Sequence, residues 1–344
     1  MRKLLNTVYV TAENAGLRKD GENLVVTVDG VERARAPFHM LASIVAFGPA
    51  MLTPALIGAC AQAGIGVVLL DRVGRFQARV EGPVSGNVLL RRAQYAVSER
   101  PEDIVRAFLI GKLANQRHVL MRAARDHGGD FADADRARLQ GVVDRIAFLA
   151  RRLEAKPEPL DALRGAEGEA AQLYFSVFDL AIRSDEPQMR FSGRSRRPPR
   201  DPVNALLSFL YTLLTHDCRS ALEAVGLDPA VGFLHRDRPG RPGLALDLME
   251  ELRPVLADAL ALTLINRRQL RAADFETREG GATLMSDDAR KRLLTAWQER
   301  KKEERTHPFL GEKAPIGLFP FLQAQMLARR LRGDLDAYPP LIWS

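Results

Sequence analysis

From Ala36 to Leu70 the chain carries no charged side chain, so this whole segment must be buried in protein or in lipid. Lipid requires roughly 20 predominantly apolar residues in one uninterrupted helix. Here Pro37, Gly48-Pro49, Pro54 and Gly64 cut the run, and His39 and Gln62 lie inside it. The segment reads instead as a buried strand, helix, strand passage. Thr53-Pro54 is the N-cap and first helical residue and Gly64 the stop, predicting one short helix over Ala55 to Ala63. The flanks are rich in strand formers: Leu4 to Val10, Leu24 to Val28, Met40 to Phe47, Gly66 to Leu70 and Phe76 to Val80. Asp29-Gly30 supplies the positive φ of a two-residue hairpin turn. Residues 1–80 are therefore expected to form a small N-terminal β domain that serves assembly or partner contact. Glu32 and Asp71 are scattered and His39 is a packed or edge residue, so no catalytic group is assigned there.

A Gly/Pro/Ser cluster, Glu81 to Asn87, opens a linker with a first helix over residues 81–99. Beyond it the hydrophobic period changes from two to about 3.6. Leu89 to Val97, Pro101 to Asp126 and Phe131 to Leu153 read as helices, and residues 100–344 as a larger all-α domain. The fold class is α+β. With 344 residues there is enough chain for two cores, and 50 Lys+Arg against 43 Asp+Glu favours a polyanionic partner. Cys60 and Cys218 lie far apart, without a CxxC pair or a disulfide framework, and Asn6 and Thr7 interrupt any signal-peptide core. A cytoplasmic, non-membrane protein is expected.

The densest chemistry lies between His235 and Pro254, HRDRPGRPGLALDLMEELRP. On a helix Asp247, Glu250 and Glu251 project from roughly one face, with Pro254 and Asp258 extending the polar line and Leu244, Leu248, Leu252, Val255 and Leu256 largely opposite. The Pro/Gly-rich loop after His235 can fold that histidine over the acidic face. An imidazole beside carboxylates suits Mn²⁺ and tolerates Mg²⁺, although an acidic stripe is also the usual mark of a solvated helix face. A further acid, Glu167, sits in GAEGEAAQLYF, at the first turn of a helix where a carboxylate also favours the dipole.

A second cluster is basic. Arg190 to Arg200, RFSGRSRRPPR, contains no acid and runs into Asp201-Pro202, a strong helix start. Guanidinium forks hold phosphate bidentately, which suits Arg194, Arg196, Arg197 and Arg200 to phosphate contact; Arg236, Arg238 and Arg241 lie beside His235. Asn204, on the more polar side of the following helix, is a site-shaping candidate.

Four segments in this order, AEGEAAQLYF, RSRRPPRDPVNALLSFLYTLL, GFLHRDRPGRPGLALDLMEELRP and the ending HPFLGEKAPIGLFPFLQAQMLARRLRGDLDAYPPLIW, resemble the first CRISPR-associated protein family ("Cas one"), the spacer-acquisition integrases. The ending and the Asp-Pro-Val-Asn segment look most like the I-C lineage. The resemblance covers nearly the whole chain. It implies an N-terminal β-sandwich, a helical C-terminal domain, a homodimer and a complex with a second Cas protein ("Cas two"). It implies a metal site of Glu167, His235 and Glu250, with Asp247 a neighbouring acid that binds or orients. It also implies metal-dependent endonuclease and integrase chemistry on double-stranded and branched DNA, in which a 3′-hydroxyl attacks a repeat phosphodiester with Mn²⁺ or Mg²⁺ as cofactor. His307, ahead of a Pro-Phe-Leu loop, either reaches DNA or is a structural loop residue. Two competing functions share the same arginines: a stand-alone repair nuclease on branched DNA, and a non-catalytic DNA-binding scaffold.

Overall fold

The computed structural model describes residues 7–41, 43–71, 76–80 and 88–343. Residues 4–6 of the expected first strand and the Glu81–Asn87 cluster lie outside them. The chain divides into two compact units, one of Met1–Ser85, Met285–Glu303 and Ile316–Leu318, the other of Gly86–Leu284, Glu304–Pro315 and Phe319–Ser344. Residues 100–344 are thus not one continuous body, because Met285–Glu303 groups with the N-terminal unit.

The first unit holds β1 (Thr7–Val10), β2 (Ala15–Asp20), β3 (Asn23–Val28), β4 (Val31–Pro37), β5 (Ser43–Phe47), β6 (Met51–Leu52), α1 (Pro54–Ala63), β7 (Gly66–Leu70) and β8 (Phe76–Val80). They make two four-stranded sheets, ordered β4-β3-β2-β6 and β1-β5-β7-β8. In the second sheet β1, β5 and β7 run parallel, and parallel strands are covered on both faces. That accounts for the charge-free run: Ile44 to Phe47 are all buried. Asp29 and Gly30 both take positive φ, and Val28 pairs with Val31 across them, as a primed hairpin turn requires. Thr53 Oγ1 accepts the Leu56 N–H at 3.3 Å, and Gly64, at φ 66°, ends α1. One expectation is corrected: Phe38–Met40 is a 3₁₀ turn, closed by the Leu41 N–H on the Phe38 carbonyl, and the strand begins at Ser43. Both sheets and α1 feed a single cluster that includes Leu17, Leu24, Ile44, Leu56 and Val67.

The second unit is helical: α2 (Val88–Ser98), α3 (Glu102–His127), α4 (Asp133–Ala155), α5 (Leu160–Ser176), α6 (Pro202–Val225), α7 (Gly243–Arg253) and α8 (Ala259–Asn266), followed by the short pair β9 (Phe275–Thr277) and β10 (Thr283–Met285). After α9 (Asp287–Lys302), which groups with the first unit, come the hairpin β11 (Glu304–Thr306) and β12 (Lys313–Pro315) and then α10 (Phe319–Arg332). The architecture is α+β, a strand-rich unit with one short helix before a larger helical part. No helix among the described residues is long and apolar enough to cross a membrane.

Two features of this unit set up the site. Helix α6 is capped by Asp201, whose carboxylate accepts the Asn204 N–H at 2.7 Å and its side-chain amide at 2.6 Å. Helix α7, packed between α3 and α6, is largely enclosed: Asp247, Glu250 and Glu251 are as buried as Leu244, Leu248 and Leu252. The solvated acidic face is therefore not what forms. Pro254 has no N–H for the preceding turn, and the backbone answers with a π turn over Pro254–Asp258 before α8 resumes.

Asp201→Ala removes both cap bonds at the start of α6. It is expected to lower stability by about 1–2 kcal/mol, seen as a reduced urea midpoint, and an unchanged midpoint would show that the cap contributes nothing.

Candidate active site

Helices α3, α5 and α7 and the loop before α7 meet around one small group of charges, all within the second unit. The loop doubles back at its base: the Gly243 N–H donates to Ala230 O at 3.1 Å and the Leu244 N–H to Pro229 O at 3.0 Å. Gly232 and Gly243 make this possible. A Cβ on Gly232 would stand 2.8 Å from the Gly243 carbonyl carbon and 3.0 Å from Asp247 Oδ2, and one on Gly243 would stand 2.8 Å from Ala230 O.

Asp247, one turn into α7, organises the loop's far end. Its carboxylate accepts three consecutive backbone N–H groups, Phe233 at 2.5 Å, Leu234 at 3.0 Å and His235 at 3.0 Å, and also contacts His235 Nδ1 at 2.5 Å. With Nδ1 donating to Asp247, His235 Nε2 is left as the imidazole's acceptor, 4.0 Å from Glu250 Oε1. This is the arrangement by which an outer carboxylate orients a ligand histidine. Arg164, one turn before Glu167 on α5, donates to Leu234 O at 3.1 Å and so ties the loop to the helix that carries Glu167.

Glu250 faces two cations. Arg253 Nη2 donates to its Oε1 at 2.7 Å, and Lys112 Nζ stands 2.8 Å from its Oε2 as an ion pair. Burial alone would raise the Glu250 pKa, but Arg253, then Lys112 and His235, outweigh it and bring it down to about 2. Lys112 also donates to Glu167 Oε1. Its side chain is 2% exposed, against 31% for Glu167. Gly111 is what lets α3 come so close to α7, since a Cβ there would meet Glu251 Oε2 at 2.9 Å.

Glu251 points away from this group. It accepts from Tyr338 OH, from Gln323 Nε2 at 2.9 Å and from the Leu341 N–H at 2.7 Å. Burial, offset by those three donors, pushes its pKa up to about 7. His307 joins the same buried network, its Nδ1 accepting the Leu310 N–H at 3.3 Å and its Nε2 donating to Gln323 Oε1 at 3.0 Å. Of the two roles open to it, His307 takes that of a structural loop residue.

The π turn moves Asp258 off the line of Asp247 and onto two tyrosines. Tyr211 OH donates to its Oδ1 at 2.6 Å and Tyr174 OH to its Oδ2 at 3.0 Å. Both Arg253 and Arg194 lie over the Tyr211 ring, 4.7 and 5.2 Å from its centre. Burial raises the Asp258 pKa to about 6 against the pull of Tyr211 and Arg253.

Arg194 is drawn inward: Nη1 donates to Asn204 Oδ1 and Ser195 O, both at 2.6 Å, and Nη2 to Ser208 Oγ at 3.1 Å. Asn204, fully buried, also accepts the Ser195 N–H and donates to Gly193 O. It fixes the whole turn of the basic loop. Arg196, Arg197 and Arg200 are exposed on that loop, as are Arg236 and Arg238 on the other. Arg238 and Arg241 line a cavity of about 530 Å³ with Arg219 and Asp237. Lys112, Arg253, Tyr174 and Tyr211 are the site groups that sequence reasoning missed, and Asp258, expected on the polar line of Asp247, lies instead against the two tyrosines. For Lys112 a signal existed, a charge on the apolar stripe of Val105, Phe108 and Val119.

The structure brings Glu167, His235 and Glu250 to one place, with Asp247 behind His235. As they stand, no three His, Cys, Asp or Glu side chains among the described residues converge as a metal cage, because the Lys112 ammonium lies between the two carboxylates. The donor set itself fits a divalent ion: two carboxylates from different helices, already bridged by one cation, and an imidazole with Nε2 presented.

Residues 8–299 match the family described as CRISPR associated protein Cas1. The chain is 69% identical over 343 residues to CRISPR-associated endonuclease Cas1 2 of Rhodospirillum rubrum, spanning 100% of both chains. Among solved structures, a casposase bound to integration product superposes with TM-score 0.82 at 21% identity, covering 98% of this chain and 94% of that one. A Cas6-RT-Cas1–Cas2 complex superposes with TM-score 0.81 at 24% identity, over 99% of this chain and 36% of that one. At those identities the structures speak for the fold. The chain belongs to the Cas1 family of CRISPR-associated proteins.

Asp258 sets a pH dependence. Its folded pKa, about 6, is raised from the ordinary 3.8, so its neutral form favours folding. That contribution is complete below pH 3.8 and is lost as pH rises through 6, on the order of 3 kcal/mol in all. Glu251 acts in the same direction, towards pH 7, whereas Glu250 stabilises above pH 4.5 and is lost as pH falls towards 2. Asp258→Asn is expected to flatten the decline in melting temperature between pH 4 and 6.5 and to melt higher than wild type above pH 6.5. An unaltered pH profile would count against a proton on Asp258.

Proposed function

We propose that this chain is a metal-dependent DNA endonuclease and integrase that inserts short double-stranded DNA into a CRISPR array. The observation that carries this reading is the meeting of Glu167, Glu250 and an Asp247-oriented His235 in one group, in a chain closely similar along its full length to a protein named as a CRISPR-associated endonuclease. Mn²⁺ or Mg²⁺ bound by Glu167, His235 and Glu250 would supply positive charge at the target phosphate and a more acidic nucleophile.

The remaining tasks fall to the protein. Asp247 keeps the His235 ring in one tautomer and one orientation. Arg253 and Lys112 hold Glu250 ionised and in place. Arg196, Arg197 and Arg200, with Arg236, Arg238 and Arg241, bind backbone phosphates of double-stranded or branched DNA and so supply affinity without sequence choice. Arg194 is assigned instead to holding the basic loop against Asn204. The 3′-hydroxyl of the incoming strand then displaces a repeat 3′-oxygen at phosphorus, and water in its place gives strand cleavage from the same site.

The partners are inferred from the names of the relatives. A homodimer working in a cytoplasmic complex with Cas2 is consistent with the Cas1–Cas2 assembly named among the structural neighbours. The I-C lineage rests on the C-terminal HPFLGEK segment and the Asp-Pro-Val-Asn helix start.

The test is strand transfer of a labelled duplex into a repeat-bearing plasmid with Cas2, in Mn²⁺, Mg²⁺ or EDTA. Wild type is expected to join DNA only with metal. Glu167→Gln and His235→Ala should lose at least roughly 100-fold in rate while binding DNA as wild type does. Joining in EDTA, or by both variants at the wild-type rate, would overturn the metal site, and DNA binding without joining in any metal would leave only a DNA-binding scaffold. Replacing Arg196, Arg197 and Arg200 by alanine should weaken DNA binding and reduce the salt slope of log K by roughly 0.9 for each phosphate no longer neutralised.

A further inference from the structure

Lys112 stands out once the site's charges are set side by side. It is a buried lysine on α3 whose ammonium bridges Glu167 of α5 and Glu250 of α7. Arg253 closes the other oxygen of Glu250. The formal charges of these four side chains cancel, so the two acids are matched by two of the protein's own cations. Strand transfer as derived above asks Lys112 only to hold Glu250 and gives no reason for its second contact, with Glu167. Without that lysine, however, two acids from different helices would share a poorly solvated space, and like charges there repel strongly.

We propose that Lys112 is a built-in counter-ion that takes the divalent metal's place between Glu167 and Glu250 in the metal-free chain and competes with the metal for them. The inference rests on the metal-site reading above. It assigns Lys112 a positioning role: the residue keeps both carboxylates at the site before metal arrives, and it sets how tightly the metal binds. A divalent ion entering beside Lys112 and Arg253 meets two fixed positive charges in a low-dielectric pocket. Lys112 must therefore give up a carboxylate for the ion to be held well. Two consequences separate this from a purely structural salt bridge. Removing the ammonium should weaken the metal-free fold, since the carboxylates lose their partner, and the same change should strengthen metal binding.

The experiment is Mn²⁺ binding by titration calorimetry on the full chain without DNA, paired with melting curves in EDTA and in Mn²⁺. Wild type, Lys112→Met, Lys112→Arg and the double variant Lys112→Met/Glu167→Gln are compared. Lys112→Met is expected to bind Mn²⁺ roughly tenfold or more tightly than wild type, to melt lower in EDTA, and to gain more in melting temperature from Mn²⁺. Lys112→Arg, which keeps the charge, should bind as weakly as wild type. The double variant should regain the EDTA melting temperature lost by the single one, because only one carboxylate charge is then left to be matched, by Arg253. If Lys112→Met does not fold, Lys112→Gln is read in the same way. Mn²⁺ binding that is unchanged or weaker without Lys112, while wild type binds the ion, overturns the competition and leaves the metal site standing. Absence of Mn²⁺ binding in every protein removes the metal reading and this inference with it.

Discussion

Everything about the site depends on one buried carboxylate that need not touch substrate. Asp247 gathers three successive backbone N–H groups and an imidazole nitrogen. Ionised, it would be very costly to enclose unpaired, and with four donors it becomes the anchor of the loop. The loop's two tight glycines, its return onto the start of α7 and the direction of His235 Nε2 are all conditions for those four contacts to exist together. The order of dependence is therefore Asp247 first, His235 second, and the acids around Lys112 third.

Much of the frame was legible from residue type and spacing. The charge-free run with its internal prolines and glycines identified buried strands around one helix, and Thr53-Pro54 with Gly64 located that helix to within a residue. Asp201-Pro202 marked the start of α6. These succeeded because caps and turn residues act over three or four positions, which a sequence displays directly. The grouping of Glu167, His235 and Glu250 came from the family resemblance, since nothing in local spacing connects α5 to α7.

What escaped the sequence was decided at longer range. The acids of α7 read as one polar face, yet the helix is enclosed, and each acid found a different partner: Asp247 the loop, Glu250 the cations, Glu251 the C-terminal segment. Pro254 and Asp258 read as continuing the polar line of α7, but a π turn over Pro254–Asp258 re-aimed Asp258 at Tyr174 and Tyr211. Arg194 read as a phosphate hand and became the prop of its own loop, because Asn204 is buried with an acceptor facing it. In each case the local pattern named the chemistry correctly as polar or charged, and tertiary packing selected the partner.

The partners of Glu251 bear on the order in which the protein is made. Its carboxylate is satisfied by Gln323, Tyr338 and the Leu341 N–H, the last of them 90 residues further along the chain. Asn115 likewise accepts the Trp343 N–H across 228 residues. While a ribosome is still short of these positions, α7 has an acid that must keep its water, and α3 cannot close over it at Gly111. Helix α7 also carries Glu250. The two carboxylates that Lys112 joins are therefore expected to settle into place only after synthesis has passed Leu341.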